Sequence, residues 1–87
     1  MSETSSPRLA LYYFDACPFC QMVLHAADAM KVDVELRNIL QDRTHQSDLV
    51  AARGRATVPV LRIQDADRDE WLPESRDIVR YLESLAA

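Results

Sequence analysis

The 87-residue chain has one glycine, two cysteines and no long apolar stretch. The lone Gly54 removes every glycine-rich phosphate loop, because such loops need several residues without a Cβ to let the backbone close around an anion. Two cysteines cannot build the multi-bridge framework that small secreted domains use in place of a large core. No apolar run approaches the roughly 18–20 residues of a membrane span. The N-terminal residues Met1 to Arg8 are polar with no apolar segment behind them, so no signal peptide is expected. Basic charge is short as well. The net charge of −4 argues against nucleic acid, whose phosphates need a basic face. With 48% hydrophobic and 28% charged residues, the composition is that of a globular domain and excludes a fully disordered chain. The length allows one domain with a small core, since a chain of this size buries only about 60% of the surface its unfolded form exposes. The expectation is a cytoplasmic protein with neither a membrane nor a nucleic-acid partner. In such a reducing compartment Cys17 and Cys20 are expected to be used transiently, as catalytic thiols.

Residues 1–8 read as a disordered tail and 9–87 as a single domain. Leu9-Ala10-Leu11-Tyr12-Tyr13-Phe14 is a continuous apolar run, suited to a strand buried on both faces. Asp15 and Ala16 make a turn, and Pro18 sits at the favoured first position of a helix running to Met30. Phe19, Val23, Ala26, Ala27 and Met30 share one face of it. Val32 to Leu36 alternates apolar and charged residues, the pattern of a half-exposed strand. A polar loop from Asn38 to Thr44 leads to a shorter helix around Gln46 to Arg53, which Gly54 stops. Thr57 to Ile63 reads as a strand with Pro59 near its start, where proline is tolerated. Asp65 to Glu70 turns the chain into a short strand at Glu70 to Leu72. The last helix opens at Pro73-Glu74-Ser75, with Ser75 as N-cap and Ile78, Leu82 and Leu85 as its buried stripe. The order is β-α-β-α-β-β-α.

Cys17 falls where a buried strand ends and a helix begins. Unpaired backbone N–H groups and the helix dipole stabilise an anion at that point, which makes a thiolate there a nucleophile near neutral pH. The spacing Cys17-Pro18-Phe19-Cys20 brings Cys20 within about one helical turn, close enough for a disulfide. The first cysteine is then the attacker and the second the resolver. Two inert buried thiols are a competing reading, as is half of a zinc site. A structural zinc wants four ligands, and only His25 and His45 remain to supply them, so no metal is expected. C-x-x-C at a βα junction is the thioredoxin-like redox signature.

Three stretches in order, Cys17-Pro18-Phe19-Cys20, Gly54-Arg55-Ala56-Thr57-Val58-Pro59 and Leu72-Pro73-Glu74-Ser75-Arg76-Asp77-Ile78-Val79-Arg80-Tyr81-Leu82, resemble the glutaredoxin family. The last looks most like the N-terminal thioredoxin-fold domain of glutathione transferases and of two-domain bacterial glutaredoxins. The resemblance runs from Leu9 to Leu85 and implies an α/β thioredoxin fold, a four-stranded mixed sheet with three helices. It implies a glutathione-disulfide oxidoreductase with catalytic Cys17 and Cys20, taking glutathione as co-substrate and glutathionylated or disulfide-bonded proteins as partners. It further implies that Pro59 is cis, although a Val–Pro bond with nothing else known is most often trans. By the same resemblance the backbone of Val58, with Thr57 beside it, is expected to pair with the cysteinyl part of glutathione as an added strand does. Glu74 and Ser75 are likewise expected to hold the γ-glutamyl end, a role a helix N-terminus with a free hydroxyl suits, with Phe19 flanking the site.

Phe14 stands where many small glutaredoxins carry a lysine for the glycyl carboxylate of glutathione, and Asp15 beside Cys17 opposes thiolate formation where it is near enough. Arg37, Arg53 or Arg55 are the candidate replacement cations, and Gln46 matches a carboxylate-binding glutamine of some members. The Gly-Gly pair that many glutaredoxins carry before the last helix is absent. Asp65, Asp67 and Asp69 mimic the start of a calcium loop, but Glu70 occupies the glycine position, so a solvated turn is expected. His25 and His45 are expected at the surface, Trp71 over part of the core, and Met22 with Met30 in packing. Two rival functions stay open: a module sharing a [2Fe–2S] cluster with glutathione, and a thioredoxin-like reductase recycled by a flavoprotein. A monomer is expected. Transferase activity is not, because transferases draw their second-substrate pocket from a helical domain that the sequence up to Ala87 does not contain.

Overall fold

An apolar run with no polar alternation needs cover on both faces, and the run from Leu9 obtains it. In the computed structural model, which describes residues 7–86, this run is β1 (Arg8–Tyr13). It is followed by α1 (Pro18–Ala29), β2 (Glu35–Asn38), α2 (Arg43–Arg53), β3 (Val60–Gln64), β4 (Asp69–Pro73) and α3 (Ser75–Ala86). The strands form one sheet in the order β2-β1-β3-β4. β1 runs parallel to β2 and antiparallel to β3, and β3 runs antiparallel to β4. This is the expected β-α-β-α-β-β-α thioredoxin fold, a mixed four-stranded sheet with three helices. Among the described residues no helix is long and apolar enough to cross a membrane.

The two-residue period of the strands sorts the core onto two faces. Leu9 and Leu11 of β1, with Leu61 and Ile63 of β3, pack on Val23 and Ala27 of α1 and on Ile78 and Leu82 of α3. Ala10, Tyr12 and Val60 turn the other way, onto Leu49 of α2 and Ile39. Each leucine-sized side chain so buried contributes about 1.5–3 kcal/mol. The larger cluster therefore makes α1 and α3 the firm side of the sheet. Leu49 is the one buried residue α2 contributes, so that helix leans on its caps. The Asp42 carboxylate accepts the Thr44 N–H at 2.8 Å, and Gly54, at φ 79°, donates its N–H to the Val50 carbonyl.

Several boundaries differ from the sequence reading. β2 begins at Glu35, not Val32, because Val32 is occupied closing α1. Lys31 adopts φ 58°, its N–H bonds the Asp28 carbonyl, and the Val32 N–H bonds the Ala27 carbonyl. That is a Schellman closure with lysine at the position glycine usually fills. Val32 and Val34 still pack on the larger core cluster, but from a loop. α2 begins at Arg43, not Gln46, because Asp42 caps it from within the stretch read as loop. β3 pairs only from Val60, after Pro59, which has no N–H to give the ladder. β4 is longer than expected by a residue at each end.

Ser75 is the first helical residue of α3 and not its cap. The carbonyl of Glu74 accepts the Ile78 N–H, so Glu74 holds the cap position. On α1, Cys20 joins Val23 and Ala27 as the buried residues, while Phe19 is 59% exposed and Met22 47% exposed. His45 is only partly exposed and meets the Tyr12 ring edge-on, with centroids 6.2 Å apart. Trp71 covers Tyr12 as expected, with ring centroids 5.1 Å apart. The acidic turn is closed by Asp65, whose carboxylate accepts from the Asp67 N–H and the Arg68 guanidinium. Of the expected tail, residues 1–6 lie outside the described residues, and Arg8 already belongs to β1.

Candidate active site

Cys17 is the N-cap of α1. Its backbone is extended (φ −85°, ψ 115°), and its sulfur accepts the Cys20 backbone N–H at 3.3 Å. Pro18 follows at the first helical position, where its missing N–H goes unneeded. The sulfur thus stands in for the oxygen of an ordinary capping residue and takes one of the orphan N–H groups of the first turn. Both cysteines are free thiols. Cys17 retains 7% exposure and Cys20 none. Burial pushes the Cys20 thiol up from the ordinary 9.0 to about 12, with its hydrogen bond to Cys17 and the charge there adding to the effect and a backbone hydrogen bond at Phe14 opposing it. The two sulfurs are therefore unequal. Cys20 keeps its proton at neutral pH and can lend it to the sulfur of Cys17.

An open cleft of about 260 Å³ lies beside the start of α1. Phe19 forms one wall, and Thr57, Val58, Pro59 and Val60 form another. Pro73, Glu74 and Ser75 supply the end where β4 passes into α3, and Arg53, the last residue of α2, and Arg55 just beyond it face the cleft as well. The Val58–Pro59 bond is cis, as the resemblance implies. Glu74 adopts φ 74°, a left-handed conformation unusual for a residue with a Cβ. Such a backbone persists where the surroundings hold it, and it gathers at ligand sites. It turns the chain from β4 straight into α3, whose first N–H groups have no partner within the helix.

The cleft thus unites Phe19, Thr57, Val58, Pro59, Glu74, Ser75 and Arg55 from the sequence reading. Cys17 and Cys20 do not line it; they stand at the end of the helix that carries its Phe19 wall. Arg37 and Gln46 are not brought to it. Arg37 is held on the α2 side of the sheet by Glu35 at 2.8 Å and by the Tyr12 hydroxyl at 2.6 Å, and Gln46 is exposed on α2. Arg53 enters the cleft with Arg55, so two cations face it where the sequence reading asks for one. Val60 and Pro73 have no signal of their own in the sequence. Phe14 is partly buried against the α2-side core, and Asp15 is exposed, its carbonyl accepting from Gln21 at 2.9 Å. Among the described residues no three histidine, cysteine or acidic side chains gather as metal ligands would.

Comparison with known proteins bears on the fold and the family. The family model "Glutathione S-transferase, N-terminal domain" matches residues 11–87. Glutaredoxin 2 of Escherichia coli (strain K12) is 31% identical over 77 residues, which are 88% of this chain and 34% of that protein. The chain thus spans about a third of the length of the curated relatives it matches. Among solved structures, Glutaredoxin 2 of Salmonella typhimurium in complex with glutathione superposes with a TM-score of 0.73 at 31% identity, covering 92% of this chain and 34% of that one. A trimeric glutathione transferase of Leishmania gives 0.75 at 29% identity, covering 91% and 18%. With most of its length matched by the family model, the chain belongs to the family of glutathione S-transferase N-terminal domains, the thioredoxin-fold family its motifs resemble.

Proposed function

We propose that the chain is a glutathione-dependent thiol–disulfide oxidoreductase. The observation that carries this reading is the N-cap sulfur of Cys17, hydrogen-bonded by the Cys20 N–H beside a cleft that ends in Glu74 and Ser75. The Cys17 thiolate attacks the glutathione sulfur of a protein–glutathione mixed disulfide. A Cys17–glutathione disulfide forms, and the protein thiolate leaves and takes up a proton. The thiolate of a second glutathione then attacks that disulfide, releasing oxidised glutathione and restoring Cys17. With a protein disulfide as substrate, Cys17 attacks one protein sulfur and releases the other as a thiol. Cys20 then loses its proton, attacks the Cys17 sulfur of that mixed disulfide, expels the second protein thiol and closes the Cys17–Cys20 bridge, which two glutathione molecules reopen as oxidised glutathione.

In this reading the cysteinyl backbone of glutathione pairs with Val58 as an added strand. Its α-carboxylate meets the Ser75 hydroxyl and the first N–H groups of α3, where the helix dipole favours an anion. Glu74 receives the α-ammonium group, and Arg53 and Arg55 receive the glycyl carboxylate. The relative from Salmonella typhimurium, solved in complex with glutathione, supports that choice of ligand.

The test is glutathione-coupled reduction of a glutathionylated protein. The wild type is expected to turn over, Cys17→Ser to be inactive, and Cys20→Ser to retain most of the rate because that route needs one cysteine. Full activity in Cys17→Ser overturns the mechanism. In a glutathione titration, backbone NMR shifts are expected to concentrate at Phe19, Val58 and Ser75.

A further inference from the structure

α2 is the least anchored helix of the fold, since Leu49 is the one buried residue it contributes. A helix held at a single buried point is free to tilt about it, so a second contact has to set the angle. His45 supplies that contact. It lies four residues before Leu49, and Arg53 lies four residues after, so the three share one face with Leu49 midway. His45 and Arg53 are about 12 Å apart along the axis. The arrangement is a lever with equal arms. Movement at His45 becomes opposite movement at Arg53, which lines the cleft.

The fixed post on the other side of the contact is Tyr12. Its side chain is wholly buried, Trp71 packs on its ring with centroids 5.1 Å apart, and its hydroxyl accepts from Arg37 at 2.6 Å. The His45 ring meets the Tyr12 ring at 6.2 Å and an interplanar angle of 87°, the T-shaped arrangement that sets a positive edge against a negative face. His45 Nε2 also stands 3.6 Å from an Asp42 carboxylate oxygen. Asp42 caps the same helix, however, so that contact cannot tie α2 to the sheet. Arg55 lies beyond the left-handed Gly54, where Ala56 and Val58 fasten the segment to the α2-side core independently. Of the two cleft arginines, Arg53 is therefore the one whose place depends on the tilt of α2.

We propose that His45 is a positioning residue for Arg53: its ring on Tyr12 sets the tilt of α2 and thereby the reach of that guanidinium into the cleft. The inference rests on the proposed activity, in which Arg53 receives the glycyl carboxylate of glutathione. Steady-state reduction of a glutathionylated peptide by the 87-residue chain tests it, beside the same peptide carrying glutathione esterified at its glycyl carboxylate. H45A and H45Q are expected to raise KM for the first peptide about threefold or more at unchanged kcat, the effect of losing one aromatic pair. With the ester both are expected to match the wild type, because the carboxylate that Arg53 reaches is masked. H45F keeps the ring and drops the Asp42 contact, and it is expected to restore the wild-type KM. In an R53A background H45A is expected to add nothing. Circular dichroism identifies a variant that has failed to fold, and H45Q supplies the decision where H45A does. An unchanged KM in the folded variants overturns the proposal, as does an equal penalty with the ester or an H45F chain no better than H45A. A wild type that does not turn over the glutathionylated peptide is a different failure. It refutes the proposed activity, and the proposal with it.

Discussion

The Cys20 thiol makes the stability of the reduced chain depend on alkaline pH in a way that one substitution removes. Its ionisation is held up to about 12 in the folded chain against an ordinary 9.0, chiefly by burial. A group raised in this way contributes stability that is fully present below the unfolded value. That contribution is lost as pH climbs toward the folded value, because the unfolded thiol ionises first. The window is therefore pH 9 to 12. By about pH 10.5 the unfolded thiol is almost wholly ionised and the folded one is not, and the difference is about 2 kcal/mol. For a domain of this size a urea m-value of about 1 kcal/mol/M turns that into a midpoint lowered by about 2 M. The assay is urea unfolding at about pH 8 and about pH 10.5 under a non-thiol reductant, for the wild type and for Cys20→Ala. Both chains share every other ionisable side chain, so the change in the difference between them reports Cys20 together with its coupling to Cys17. The expected result is a gap that shifts toward Cys20→Ala by about 2 kcal/mol at the higher pH. A gap that stays constant across the two pH values refutes the reasoning.

Three further outcomes follow from named contacts. Ser75→Ala is expected to raise KM for glutathione by roughly tenfold or more with little change in kcat, the effect of losing one hydrogen bond to a charged carboxylate, measured by steady-state kinetics. Gly54→Ala is expected to cost about 1 kcal/mol in thermal or urea unfolding. The added Cβ would meet nothing within 4 Å, so the whole cost is the φ of 79°. Leu82→Ala removes a side chain with no exposure from the α1–α3 core and is expected to cost about 2–5 kcal/mol, enough to leave much of so small a domain unfolded on mild heating.

The number and order of the elements are legible in the sequence because each carries its own periodicity. Their ends are legible only where a local residue enforces them. Gly54 stops α2 as read, and Pro18 starts α1 as read. Val32 misleads because its apolar character records burial, and a loop closing a helix buries a valine as well as a strand does. Asp42 is passed over because an aspartate among polar neighbours looks like loop until its carboxylate is seen on the Thr44 N–H. Ser75 misleads the other way: it has the chemistry of a cap, but the left-handed turn at Glu74 moves the helix start by one residue. A non-glycine residue at positive φ leaves no mark in the sequence.

Two cysteines, one glycine and a short chain determine that Cys17 and Cys20 flank the first turn of a helix. Periodicity determines the order of four strands and three helices as well, while their pairing as one mixed sheet is what the family resemblance implies. Local spacing settles such features, because a helix cap and a two-residue strand period are properties of neighbouring residues. Tertiary packing decided the rest. It buried Cys20 completely and left Cys17 slightly exposed, so that two like thiols became unequal. It chose Arg53 and Arg55 for the cleft and tied Arg37 to Glu35 and Tyr12 on the α2 side of the sheet. The arginines differ only in which element carries them to which side of the sheet, and that depends on strand order, which no local pattern contains.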